Sequence, residues 1–196
     1  RIKVNNQGST VNLSLKFGAD AENAFSLLRK AKSLGLVPLG ISFHVGSQAK
    51  NVENYLQALE ITSGIFTEAQ EKGISLKVVD LGGGFPIHHF EGEIGINFER
   101  MTAQIRKQIH KLFHEKIEFI AEPGRFLAGP AGVLVTQVIG RTFRNNKNYY
   151  YLNDGIYGDF SGMVFDHCTY EFRTLRRGQK FLSALAGPTC DSFDTL

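Results

Sequence analysis

Four short apolar runs, each closing on glycine and three of them followed by a spacer of helical length, most narrow the folds open to this chain. The runs are VNLSLKFG (11–18), VPLGISFHVG (37–46), ISLKVVDLGG (74–83) and IEFIAEPG (117–124). The spacers are residues 19–35, 51–73 and 96–116. Within the first, Phe25, Leu27, Leu28 and Ala31 share a face, Asp20 stands where a helix is capped, and Gly35 can end it. Strands joined by crossovers of this length pair in parallel, with right-handed connections. Arg1-Ile-Lys-Val also reads as the inside of a strand.

An alternating β-α order of this kind builds either an open doubly wound sheet or part of a (β/α)8 barrel. A complete barrel takes about 250 residues, so 196 would supply about half of one. In both, chemistry gathers at the C-terminal ends of the strands. Beyond about residue 130 the pattern changes. AGVLVTQVIGRTF (131–143), NYYYLND (148–154) and GMVFDHCTYEF (162–172) are β-branched and aromatic with no helical spacer, which predicts antiparallel β structure.

The charge balance, 22 Lys and Arg against 19 Asp and Glu, is nearly even. Its densest basic stretches, 29–32 and 173–180, read as solvated surface, not as a nucleic-acid footprint. No apolar stretch is long enough to span a bilayer. The two cysteines, Cys168 and Cys190, form neither a CxxC nor a metal-ligand spacing, so reduced thiols in a cytoplasmic setting are expected. His110 and His114 stand four apart on a predicted helix without a carboxylate partner, and His88 and His89 fall in a loop, so no metal site is expected.

Four runs carry the chemistry. SFHVGSQ (42–48) sets His44 at a strand end, where a flat imidazole can stack on a ring or move a proton, with Ser47 as a cap or phosphate ligand. DLGGGFP (80–86) puts Gly82, Gly83 and Gly84 after a strand. Consecutive glycine amides can nest an anion, although the run matches neither the dinucleotide fingerprint nor the P-loop. AEPGRF (121–126) brings Glu122, Gly124 and Arg125 together, and the guanidinium can grip a phosphate with paired bonds. AGPTCDSFD (186–194) sets the Cys190 thiol beside the Asp191 carboxylate in a turn. VFDHC (164–168) adds Asp166, a salt-bridged acid or a substrate contact, and NDGIYGDF (153–160) reads as turn chemistry.

Taken in order, HVGSQ, DLGGGFP, EPGR, NDGIYGDF, FDH and GPTCDSFD resemble the ornithine/lysine decarboxylase branch of the pyridoxal-phosphate enzymes with an alanine-racemase-like barrel, over nearly all 196 residues. The resemblance implies the second part of a pyridoxal-phosphate-binding (β/α)8 barrel in residues 1–130 and the start of an antiparallel β domain in 131–196. It implies decarboxylation of ornithine or lysine to putrescine or cadaverine in polyamine synthesis. His44 would stack on the pyridoxal ring. Ser47, Gly83, Gly84, Gly124 and Arg125 would build the phosphate cradle, with Gly82 completing the turn, and Glu122 would pair with the ring nitrogen. Cys190 would return a proton to the substrate carbon in the partner subunit of a homodimer. Asp191 and Asp166 would hold the distal ammonium, with Phe165 beside them. Lys16 and Asp194 are candidates for an intersubunit ion pair.

The lysine that carries the cofactor in this family has no counterpart here, since neither Lys3 nor Lys16 has the right surroundings. Both ends look cut, so residues 1–196 alone are expected to be inactive. Competing expectations are an inactive, antizyme-inhibitor-like binding protein, a diaminopimelate or arginine decarboxylase, and an alanine racemase. Asp after Cys190 speaks against the diaminopimelate enzymes, which usually carry Glu there, and the Cys-Asp pair has no role in a racemase.

Overall fold

The structure, a computed structural model, describes residues 1–11, 13–88, 97–114, 116–175, 178–179 and 181–196. The chain divides into two compact units, one of Arg1–Ile87 with Ile94–Pro130, the other of His88–Glu93 with Ala131–Leu196. Among the described residues, no helix is long and apolar enough to cross a membrane, and no group of three His, Cys, Asp or Glu is placed to hold a metal. His89 and the basic residues Arg176, Arg177 and Lys180 lie outside the described residues.

In the first unit three strands, β1 (Gly40–Ser42), β2 (Val78–Asp80) and β3 (Glu118–Ile120), pair in parallel in that order, with Ile41, Val79 and Phe119 in register. Helix α1 (Ala24–Ser33) precedes β1, α2 (Glu53–Glu71) runs between β1 and β2, and α3 (Phe98–Leu112) between β2 and β3. The helices form where the apolar spacing placed them, but Leu27 of α1, expected on the apolar face, is exposed, and Ala24 and Leu28 are the buried residues there. On α2, Tyr55, Ala58, Leu59, Thr62, Ile65 and Ala69 make one buried stripe at helical spacing. On α3, Met101 and Ile105 are buried, and the Asn97 side chain caps the first turn by accepting from the Arg100 amide at 2.8 Å. These faces close over the sheet around Phe43, Val45 and Val79. Because the strands run the same way, residues 43–48, 81–86 and 121–125 follow the same strand ends.

Several expectations need correction. Residues 11–18 are not a strand. Val11 makes an isolated antiparallel bridge with Ser47, and Leu13–Leu15 form a 3-10 turn. The Ser14 hydroxyl bonds back to the Val4 carbonyl at 2.9 Å and accepts from Asn6 at 2.6 Å, so a polar residue of the alternating pattern folds the segment onto itself. The place beside β1 is taken by residues 1–3, through Ile2 N–H to the Ser42 carbonyl at 2.8 Å and an isolated parallel bridge of Ile2 with Ala19. Asp20 makes no capping bond and instead pairs with Lys3 at 3.1 Å. Downstream of β3, a short helix α4 (Gly124–Ala128) stands where only a turn was expected.

In the second unit β4 (Val138–Arg144) and β5 (Lys147–Leu152) form an antiparallel hairpin. Asn145 and Asn146 both adopt positive φ (53° and 56°), the geometry a two-residue hairpin loop requires. The third strand, β6 (Ser183–Ala186), pairs with β5 in parallel, against the expected antiparallel arrangement. Nor is 162–172 a strand. It contains the one-turn helix α5 (Gly162–Phe165), whose first carbonyl accepts the amides of Asp166 and Cys168. Its aromatic residues serve packing rather than extension: Tyr170 and Phe172 lie against the buried Phe160 ring.

Candidate functional site

The glycine run after β2 is folded tightly against the segment after β1. Gly82 has φ +63°, and its amide bonds to Asp80 Oδ1 at 2.9 Å. Gly84 has φ +96°, and a Cβ there would stand 2.2 Å from the Gly46 carbonyl oxygen. Only glycine fits either position. At Gly83 a Cβ would meet the Glu122 carbonyl at 2.6 Å and His44 Nε2 at 2.9 Å. The backbone holds these contacts: Ala49 N–H to Gly84 O at 2.9 Å, and Glu122 N–H to Gly82 O at 2.8 Å. The buried Tyr55 hydroxyl donates to Gly83 O at 3.0 Å.

A cavity of about 250 Å³ opens where the three segments meet. His44, Ser47, Gly83, Gly84, Glu122, Gly124 and Arg125 line it, together with Gln48 and Phe85. Gly82 lies behind the lining, in the turn. Gln48 and Phe85 were not singled out from the sequence, although both belong to the runs that were. Gln48 is 3 % exposed and locks residues 48 and 87 together through paired 2.9 Å bonds with the Ile87 amide and carbonyl. Phe85 stacks on Tyr55 at 5.2 Å.

His44 Nδ1 accepts from the Gly46 amide at 3.0 Å, which places the ring proton on Nε2 in the neutral form. Burial lowers its pKa from 6.5, Arg1 adds to the effect, and Asp80 opposes it. Among the described residues the amides of Gly83 and Gly84 have no hydrogen-bond partner, and Gly83 is buried. Those two N–H groups, the Ser47 hydroxyl and the Arg125 guanidinium are donors suited to an anion. Glu122 contributes a carboxylate. A Cβ on Gly124 would project into open space.

The second unit carries the remaining predicted residues. Cys190 is exposed, and neither it nor Cys168 is in a disulfide. Phe165 ends α5 and is exposed, with half-buried Asp166 capping the helix. Asp191 is exposed and accepts from the Tyr157 hydroxyl at 2.5 Å and from the Phe193 amide at 3.0 Å. Asp194 is 2 % exposed and accepts from Thr189 Oγ1 (2.8 Å), the Ile156 amide (2.9 Å) and the Thr189 amide (3.1 Å). Burial raises the Asp194 pKa, but these three donors outweigh it and leave the carboxyl below its usual range. Within its own unit this carboxylate is therefore already engaged, whereas Lys16 is exposed beside the Phe17 ring at 5.2 Å.

Comparison with known proteins places these features in a family. The pyridoxal-binding domain of the pyridoxal-dependent decarboxylases matches residues 1–129. A lysine/ornithine decarboxylase of Selenomonas ruminantium is 42 % identical over 196 residues, all of this chain and 49 % of that protein. The crystal structure of a Selenomonas ruminantium lysine decarboxylase superposes with a TM-score of 0.91 at 43 % identity, covering all of this chain and 51 % of the other. A lysine/ornithine decarboxylase from Vibrio vulnificus, solved in complex with cadaverine, gives a TM-score of 0.86 at 37 % identity, over 92 % of this chain and 48 % of that one. The chain thus spans about half the length of the relatives it matches, and its mixed α/β fold is theirs. Through the domain that binds pyridoxal, the chain belongs to the pyridoxal-dependent decarboxylases.

Proposed function

We propose that this chain is part of a pyridoxal-phosphate-dependent decarboxylase that converts lysine or ornithine into the corresponding diamine. In this reading residues 1–130 are the second part of a (β/α)8 barrel and 131–196 the start of a β domain. The enzyme is a cytoplasmic homodimer whose Cys190 and Asp191 serve the partner subunit's cofactor. The observation that carries the reading is the cavity itself. Three strand-end segments bring two backbone amides that have no partner among the described residues, a hydroxyl, a guanidinium, a carboxylate and a neutral imidazole to one space.

That donor set fits a phosphorylated pyridine. The Gly83 and Gly84 amides form a nest for a dianion, and the Arg125 fork supplies two further parallel bonds. Ser47 adds a hydroxyl donor and Gly124 leaves the space open. The Glu122 carboxylate favours a proton on a ring nitrogen, and the His44 imidazole, kept neutral, covers a cationic ring without charge repulsion. When bound, pyridoxal phosphate supplies the electron sink for the carbanion left by loss of carbon dioxide. Cys190 Sγ–H then delivers a proton to that carbon. Asp191 and Asp166, with Phe165 beside them, hold the substrate's distal ammonium away from the reacting end, and a terminal charge so held is chosen over an uncharged side chain.

Carbon dioxide release by the full-length protein, stripped of pyridoxal phosphate and then resupplied, tests the proposal. Lysine and ornithine should be turned over only with the cofactor. Turnover confined to arginine or diaminopimelate would move the substrate assignment, and no turnover of any of the four, with no cofactor uptake, would favour a binding protein instead.

A further inference from the structure

In the second unit the turn 154–158 and the run 187–194 are joined by hydrogen bonds that no catalytic role assigned above requires. Asp194 is the buried hub. It takes the Ile156 amide from one segment and the Thr189 amide and hydroxyl from the other. It fits only because Gly155 and Gly187 carry no side chain, since a Cβ on either would meet its carboxylate at 2.1–2.2 Å. Thr189 Oγ1 also receives the Asp191 amide at 3.4 Å, and the Asp194 amide bonds the Asp191 carbonyl at 3.0 Å. The backbones of Tyr157 and Asp191 are therefore held in a fixed relation. The Tyr157 hydroxyl then reaches Asp191 Oδ2 at 2.5 Å, while the Phe193 amide holds Oδ1 at 3.0 Å.

Tyr157 is 62 % exposed and Asp191 is exposed, so this bond adds little to folding. Its effect is on the carboxylate. A free aspartate in water samples several rotamers. Here one donor on each oxygen fixes the rotamer, and an ionised carboxylate still keeps acceptor sites on both oxygens for an incoming cation. The Tyr157 hydrogen bond lowers the Asp191 pKa, and the same bond raises that of the phenol, so donor and acceptor keep their roles at neutral pH.

We propose that Tyr157 is a positioning residue for substrate specificity: it orients the Asp191 carboxylate as an ionised acceptor for the distal ammonium of a basic amino acid. The inference rests on the reading of Asp191 as that acceptor. Tyr157 itself need not touch the reacting carbon.

The test uses the full-length holoenzyme and two competitive inhibitors of equal chain length, cadaverine and pentylamine, which differ by one terminal ammonium. Tyr157→Phe should raise the inhibition constant of cadaverine about 3–10-fold and leave that of pentylamine within about 2-fold. KM for lysine should rise in parallel while kcat stays within about 2-fold. Equal weakening of both inhibitors would mark a general structural role and overturn the inference, as would no change in either. Asp191→Asn provides the separate control. If it abolishes the preference for cadaverine while Tyr157→Phe does not touch it, the acceptor reading stands and the role of Tyr157 is overturned. If Asp191→Asn leaves the preference intact, the acceptor reading fails and the inference falls with it.

Discussion

The Tyr55 hydroxyl, rooted in α2, donates to the carbonyl of Gly83 at 3.0 Å and so braces the glycine turn that lines the cavity. Tyr55 is fully buried, and burial pushes its phenol well above the ordinary value, so it is a donor at neutral pH. Tyr55→Phe keeps the stacking on Phe85 but leaves a buried carbonyl without its partner. The expected cost is about 1–3 kcal/mol of stability, read from urea unfolding, with weaker pyridoxal phosphate binding. An unchanged unfolding midpoint would show that the bond does not brace the turn.

Two glycine positions separate two kinds of effect. Gly84→Ala puts a Cβ 2.2 Å from the Gly46 carbonyl at a φ of +96°, so the backbone must move at a cost of about 1–3 kcal/mol. Both stability and cofactor affinity should fall. Gly124→Ala meets nothing within 4 Å, so apo stability should stay within about 0.5 kcal/mol while cofactor affinity falls. Thermal melts and cofactor titrations on the two variants compare them directly.

His44 gives the first unit a pH dependence with a definite sign. Its folded pKa lies below the 6.5 of the unfolded chain, because burial disfavours the cation and Arg1 adds to that. Between those two values the unfolded state binds the extra proton, so stability falls as pH drops below 6.5 and levels off beneath the folded pKa. His44→Gln should remove this part of the slope. A variant with the same slope as the parent, in unfolding free energies measured from about pH 5 to about pH 7, would contradict the assignment.

Asp194 acts with the same sign in a more acidic window. Its folded pKa is below the unfolded 3.8, so it contributes stability above that value and loses it as pH falls through the folded pKa. Asp194→Asn should lower the melting temperature of the second unit near neutral pH, and the gap to the parent should narrow as the pH falls below 3.8. A gap independent of pH would mean that the hub acts through shape and not through charge.

Helical periodicity was the most legible signal. The stripe on α2 can be placed from spacing alone, because burial there repeats every three to four residues, whereas the Asn97 cap of α3 was not singled out from the sequence. Alternation over 11–18 misled, because Ser14 uses its hydroxyl to fold the chain back rather than to face solvent from a strand. The aromatic content of 162–172 misled likewise, since packing on Phe160 needs rings but not extended backbone. For the site, the runs around His44, Gly83 and Glu122 could be read locally, and the structure shows them lining one cavity. What could not be read were partners brought in from elsewhere. Tyr55 lies 28 residues before Gly83, and Tyr157 lies 34 before Asp191. Nothing local marks either tyrosine as a donor to those groups.

The central claim is that the cavity between the segments after β1, β2 and β3 holds the cofactor. A crystal structure of the full-length protein grown with pyridoxal phosphate tests it most directly. The account predicts the phosphorus atom against the Gly83 and Gly84 amides and the Arg125 guanidinium, with the ring nitrogen at Glu122 and His44 across the ring. Cofactor density located elsewhere, with those amides facing only solvent, would contradict it.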